Sequence, residues 1–262
     1  MSLATPLRPA VLAAALSDDF RIAAKSARAA GFAGIQLTPR LGSLDILSLS
    51  QSGKREMQSI LRAQAIELVG LRMDLNSKGL GPGADVDAAI DSIEKVLAAA
   101  AQLQSPLLCV DLGTIPADTA AFAPAMAELG RRADRNGVVL AFRSDLSSFA
   151  SIHAALKTAD CPWFGVDFDP VAMLLDPLTA EEIFAKLGSL IRHVRGRDAI
   201  LGMDQRTKPV VIGSGSVDWP GLLARLEGAE YRGWITIDPM ELNNRAAGAR
   251  EGLAKLTADP LV

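Results

Sequence analysis

The chain is poor in the residues that mark several functional classes. It has two cysteines and two histidines among 262 residues. Cys109 and Cys161 are too few for a disulfide framework, and each lies in or beside an apolar run. Both read as reduced, buried residues of a cytoplasmic protein. His153 and His193 are placed so that no Ser-His-Asp or Cys-His nucleophile arrangement can be assembled from them. A basic excess is missing too: 27 Lys and Arg stand against 30 Asp and Glu. Nucleic acid, whose phosphates call for a basic surface, is therefore not an expected partner. No apolar run approaches the roughly 18 residues of a membrane span. The run PAVLAAAL (9–16) faintly imitates a signal peptide, but it is short and leads straight into an amphipathic segment, so it reads as a first core strand.

What remains is a chain with 49% apolar residues, of the usual length for one (β/α)8 TIM barrel, read here as a single domain over 1–262. Short β-type runs at 10–15, 33–38, 66–72, 106–111, 137–143, 164–169, 190–195 and 233–238 alternate with helical patterns. Those patterns lie near 18–30, 52–64, 84–102, 118–135, 147–158, 179–188, 219–228 and 244–256. Eight such repeats point to a closed parallel barrel, since an open doubly wound sheet would carry a Gly-rich first turn, which is absent. Helix starts are marked by Ser17-Asp18, Asp85 and Asp218 with Pro220. Gly31, Gly137 and Gly233 fall at handovers to strands, where positive φ is expected. The connection at 197–218 is the longest and reads as a functional loop.

Four of the strands end in alternating charges: VVLAFR at Arg143, FGVDFD at Asp169, IRHVR at Arg195 and WITID at Asp238. On adjacent parallel strands these side chains would sit together at the C-terminal end of the barrel, where such folds keep their chemistry. Strands lie about 4.8 Å apart, so each Asp is expected to accept a forked hydrogen bond from a flanking Arg. Arg72, Asp74 and Arg197 would face the same mouth.

Several segments resemble the xylose isomerase-like TIM barrels, the sugar phosphate isomerase/epimerase group. GFAGIQL (31–37) is similar to that group's second strand, NGVVLAFRSD (136–145) to its fifth, and FGVDFDPVAMLLD (164–176) to its sixth. IRHVRGRDA (191–199) resembles the seventh, and the stretch from IGSGSVDWPGLLARL to YRGWITIDP (212–239) the closing segment. The resemblance implies a divalent metal held by Glu, Asp, His and Glu on strands five to eight, with the two glutamates moving a proton between sugar carbons. Here those positions hold Arg143, Asp169, Arg195 and Asp238. Arg197 replaces a Lys, Ala172 a His and Gln36 the strand-two Glu. A guanidinium offers a metal no lone pair, so no metal site and no cofactor are expected. Two histidines also exclude the three-zinc endonuclease IV branch.

Two readings of the Arg and Asp cluster follow. It is a self-neutralising brace in place of the metal, or Arg143 and Arg195 face an anionic ligand with Asp169 or Asp238 as base. Arg72, Arg197 and Trp163 are the candidate substrate-binding residues. His193 is expected to be a hydrogen-bonded core residue one layer deeper, and His153 a surface one. GSGS (213–216) is a phosphate cradle or, on the plainer reading, a tight turn. Trp219 and Trp234 are expected to pack. The function expected is that of a sugar phosphate isomerase/epimerase-like protein acting on a small sugar, polyol or sugar acid without metal. The alternative is a non-catalytic ligand-binding or regulatory barrel. The expected partner is a small-molecule sugar or sugar acid, with no membrane; a homo-oligomer is compatible with the sequence.

Overall fold

A computed structural model of the protein describes residues 8–75, 78–81, 83–115 and 122–258. Its barrel strands are β1 Pro9–Leu12, β2 Gly34–Leu37, β3 Glu67–Asp74, β4 Leu107–Asp111, β5 Val139–Arg143, β6 Phe164–Phe168, β7 Ile191–Gly196 and β8 Ile235–Ile237. Each pairs in parallel with its neighbours in chain order, and β8 returns to β1 to close the ring. The helices are α1 Phe20–Ala30, α2 Gln51–Ala63, α3 Val86–Gln102, α4 Ala123–Asn136, α5 Phe149–Ala159, α6 Pro170–Leu175, α7 Ala180–Leu187, α8 Trp219–Gly228 and α9 Arg245–Thr257. The eightfold strand-helix alternation read from the sequence is thus the fold. Among the described residues, no helix is long and apolar enough to cross a membrane.

The main core lies between the barrel wall and the helices. Leu71, Leu108, Val110, Phe142, Val166, Phe168, Val194 and Ile237 are buried there, and Phe168 packs between the rings of Phe149 and Phe184. Residues two apart share a strand face, so the intervening positions on the same strands turn into the barrel. That is where the chain places buried Gln36, Arg72, Arg143, Asp167, His193, Arg195 and Thr236.

Three readings need correction. The first helix is capped by Asp19, whose side chain accepts from Ile22 N at 3.0 Å, one residue beyond the expected start. The helical pattern near 118–135 begins outside the described residues and is helical from Ala123. The long connection after β7 is not plain loop. Asp198–Leu201 pairs antiparallel with Thr207–Val210 in a hairpin too short to show periodicity. A smaller hairpin, Arg40–Leu41 with Leu44–Asp45, and the short α6 were missed for the same reason. Gly31 and Gly137 take φ of +93° and +63° at helix ends. Gly233 does not need positive φ; a Cβ there would run into the Tyr231 ring.

Asp198 organises the connection after β7. Its buried carboxylate accepts from Ala199 N at 2.8 Å and Val217 N at 3.2 Å on one oxygen. The other oxygen accepts from Gly213 N at 2.8 Å, Gly215 N at 3.2 Å and Trp219 Nε1 at 3.2 Å. The glycine N–H groups of the GSGS segment are therefore engaged by the protein's own carboxylate, and the tight-turn reading holds over the phosphate cradle. Leaving buried donors unpaired costs about 1–3 kcal/mol each when no water replaces the partner. We expect Asp198→Ala to lower unfolding stability by about 3 kcal/mol or more in urea titration. A loss under about 1 kcal/mol would mean that this turn is held by something else.

Candidate functional site

Alternation along the strands builds two inward layers near the C-terminal end of the barrel. The deeper one holds Gln36, Cys109, Asp167, His193 and Thr236, all buried. His193 is pinned from both sides: Nδ1 lies 2.6 Å from Asp167 Oδ1 and Nε2 lies 2.7 Å from Thr236 Oγ1. It is a hydrogen-bonded core residue, as read from the sequence. A register shift in β6 between Val166 and Asp167 brings Asp167 level with it. Cys109 accepts from Gln36 Nε2 at 3.3 Å, and burial pushes its thiol well above the usual range, which makes it a poor nucleophile. Cys161 is half-buried rather than buried, and His153 lies on α5, partly covered. Ligand atoms of Cys109, Asp167 and His193 lie within 4.8 Å of one another, but the contacts above already occupy both ring nitrogens.

The upper layer carries the four strand-end charges. Asp238 takes Arg195 Nε at 2.6 Å and Arg72 Nη1 on the same oxygen. Asp169 takes Arg195 Nη1 at 3.2 Å and Arg197 Nε at 2.7 Å. Arg197 also reaches Glu241 at 2.9 Å. Arg143 departs from the expected pairing: among the described residues no ion pair joins it to Asp169. It donates instead to Asp111 at 2.8 Å and Asp74 at 2.5 Å. The reason is register, since Asp111 on β4 lies directly beside Arg143 on β5. Asp167 and Asp145 lie 3.4 and 3.6 Å from the same guanidinium.

Burial alone would raise the carboxyls of Asp169 and Asp238. The guanidiniums of Arg197 and Arg195, and of Arg195 and Arg72, outweigh it and hold both below the usual range. Asp111 goes the other way: burial raises it, Asp145 and Asp74 add to that, and Arg143 only partly offsets them. A guanidinium in place of a metal-ligating Glu or His supplies no lone pair. The cavity lined by Arg143, Asp167, Asp169 and Ser147 is about 20 Å³, room for one water-sized group.

Six sequence-predicted residues thus converge: Arg72, Arg143, Asp169, Arg195, Arg197 and Asp238. Trp163 does not join them. It precedes β6 at the opposite end of the barrel, and its Nε1 donates to Asp134 on α4 at 2.7 Å. Trp219 and Trp234 are buried packing residues, Trp234 lying under the Arg8 guanidinium. Asp111, Asp145, Asp167 and Glu241 were missed. Asp167 shares strand parity with Asp169, and Asp111 ends its own strand, so both were within reach of the alternation argument.

A closed (β/α)8 barrel with its charged residues gathered at the C-terminal strand ends belongs to the class that carries its sites there. The profile of the xylose isomerase-like TIM barrel family matches residues 24–258, and the chain belongs to that family. A xylose isomerase domain protein from Planctomyces limnophilus is similar at 17% identity, covering 95% of this chain and 97% of that one, with a TM-score of 0.75. D-allulose 3-epimerase from Methylomonas sp., in complex with D-allulose, is similar at 18% identity over 97% and 99% of the two chains, TM-score 0.71. The probable 3-DHS dehydratase from Bacillus anthracis reaches a TM-score of 0.79 at 13% identity, over 97% and 100%. At such identities the likeness is one of fold. No curated protein sequence matches the chain significantly.

Two outcomes follow from the pairing. Asp169 and Asp238 have folded-state pKa values below the unfolded value of about 3.9. Their stabilisation is present above that pH and is lost as pH falls toward the folded values. Asp111, raised on folding, has the opposite sign and relieves the folded state as acid protonates it. Asp238→Asn should therefore flatten the loss of stability between about pH 5 and 2, and Asp111→Asn should steepen it; equal slopes in the two variants would contradict the pairing. In double-mutant cycles, Arg195 and Asp238 should couple by about 1–3 kcal/mol, and Arg143 with Asp169 by less than half as much. Equal coupling would restore the pairing expected from sequence.

Proposed function

We propose that this family member binds a small sugar or polyol at its strand-end mouth without the family's divalent ion, and that the family's proton transfer is silent in it. One observation carries this reading: Asp169 and Asp238, the two acids left at the family's metal and base positions, each accept from two guanidiniums. A base works best with a pKa near the operating pH, and guanidinium pairing moves both acids away from it. Replacing a Glu and a His by Arg143 and Arg195 also removes two metal ligands and adds two positive charges, which repel an incoming cation.

A catalytic reading, an isomerase- or epimerase-type enzyme acting on a small sugar, polyol or sugar acid without metal, has one observation in its favour. Among the described residues, the second oxygens of Asp169 and Asp238 accept only a backbone N–H, from Val171 at 2.9 Å and Met240 at 3.2 Å. Each keeps a lone pair with which to take a proton, while Arg195 lies beside the place where enediolate charge would develop.

Proton transfer at a sugar carbon in D2O replaces hydrogen by deuterium, which NMR reads directly. Across ketoses, aldoses and sugar acids, with and without added Mn²⁺, we expect no deuterium incorporation above the protein-free rate. Elemental analysis after dialysis against Mn²⁺ should find no stoichiometric ion. Incorporation that disappears in Asp238→Asn would establish the catalytic reading, and one ion per chain lost on Asp169→Ala would remove the metal-free one.

A further inference from the structure

Away from the mouth, a cavity of about 860 Å³ opens between α8 and α9. Small-molecule sites fall in the range of roughly 300–1,000 Å³ and are mostly apolar. Trp219, Leu223 and Leu226 of α8 line one side and Leu256 of α9 the other, with Ile212 and Ile235 between them. From Trp219 to Glu227 the helix rises about 12 Å, so this apolar strip follows most of α8 down to the N-terminal end of the barrel.

At that end lies a second cleft of about 250 Å³, lined by Arg192 and Arg232. Tyr231, Arg232 and Gly233 line both spaces, which therefore adjoin. Arg232 immediately precedes the turn into β8, and Arg192 is the second residue of β7.

The two guanidiniums have donors to spare. Among the described residues no ion pair joins either to a carboxylate. Arg192 donates only to the carbonyls of Ser189 at 2.8 Å and Ile191 at 3.4 Å, and Arg232 only to that of Tyr231 at 3.2 Å. Arg8 and Lys255, which also line the larger cavity, are already paired, with Glu67 at 2.9 Å and Glu251 at 3.2 Å. Glu227 and Glu230 stand exposed at the rims and form no ion pair with either arginine. Arg192 is half-buried and held in place: a Cβ at Gly165 would run into its side chain, so the bare position on β6 gives its stem room to lie across the strand. Two like charges lining one cleft repel each other, and an anion between them removes that cost.

We infer that the groove binds a medium-chain fatty acid, its chain laid along α8 and its carboxylate between Arg192 and Arg232. Such a ligand meets the apolar strip and the paired guanidiniums at once. A long alcohol supplies the chain without the charge, and a short acid the charge without the chain. Barrels of this kind keep their chemistry at the other end, so this is a binding site, and it does not depend on the sugar reading of the mouth.

Calorimetric titration of the full chain tests this with decanoate, decanol, decylamine and butyrate. We expect one decanoate per chain, bound at least about fivefold tighter than decanol, the contribution of partly screened ion pairs. Decylamine should bind weaker than decanol, and butyrate at least about tenfold weaker than decanoate because it buries too little chain. The advantage of decanoate over decanol should shrink in high salt. It should vanish in Arg192→Gln with Arg232→Gln, with the affinity for decanol unchanged. Ala224→Trp, at an exposed position of α8 that lines the groove, should remove decanoate and decanol binding alike by filling it. Equal binding of decanol and decanoate overturns the inference, as does an advantage that survives both arginine substitutions or binding that survives Ala224→Trp. Decanoate binding that appears only after deletion of residues 1–7 overturns it in favour of the chain's own first residues. A dimer that Ala224→Trp dissociates, with no response to decanoate, overturns it in favour of a second copy.

Discussion

Everything at the mouth of this barrel depends on the fork that Arg195 makes, Nε to Asp238 and Nη1 to Asp169. Three strands end in those three residues, and each charge is buried where water does not compensate it. An unpaired ion in such a place costs several kcal/mol, so the strand ends must be neutral as a set. In the xylose isomerase-like pattern, several acids and an imidazole reach that condition around a divalent cation. Here Arg72, Arg195 and Arg197 set positive charge directly against Asp169 and Asp238. A guanidinium is always protonated, is planar, and offers donors in fixed directions, which lets one Arg bridge two carboxylates on adjacent strands. A Lys at 195 would carry the same charge without the fork.

That exchange has a consequence for chemistry. A metal ion leaves coordination positions open to a substrate, and its ligands keep basic lone pairs. A guanidinium that has spent its donors on two carboxylates does neither. The carboxylates are held below their usual range, and the cavity beside Asp169 has room for one water-sized group. The same pairs that keep the barrel end stable therefore work against proton transfer at Asp169 and Asp238, and mutations that free one acid also leave a buried charge unpaired.

The parts legible in the sequence were those carried by period. Eight apolar runs with helices between them fixed the barrel, and strand parity put Arg143, Asp169, Arg195 and Asp238 at one end and His193 beneath them. Register was harder to read. Parity states which face a residue takes, not the height at which its neighbour on the next strand sits. Arg143 was therefore matched with Asp169 when Asp111 lies beside it and Asp74 within reach. The hairpin at Asp198–Val210 and the six-residue α6 are too short to show a period. Trp163 was assigned to the mouth on residue type alone, and its position before β6 puts it at the other end.

Asp198 illustrates the difference between a motif and its chemistry. A Gly-rich turn ahead of a helix offers N–H groups that suit a phosphate. In this chain a carboxylate fifteen to nineteen residues upstream already fills that position, as the bonds from Gly213, Gly215 and Val217 show. An anion from solution would have to displace a buried partner that is covalently tethered, and so always present at high effective concentration. The same reasoning applies to the arginines of the mouth. Their guanidiniums match carboxylates and phosphates well, but Asp111, Asp169, Asp238 and Glu241 hold those donors as intramolecular competitors. A residue type that favours a ligand becomes a site only where its donors are left over, and among the described residues even Arg143 Nε, which makes no hydrogen bond, lies 3.4 Å from Asp167 Oδ2.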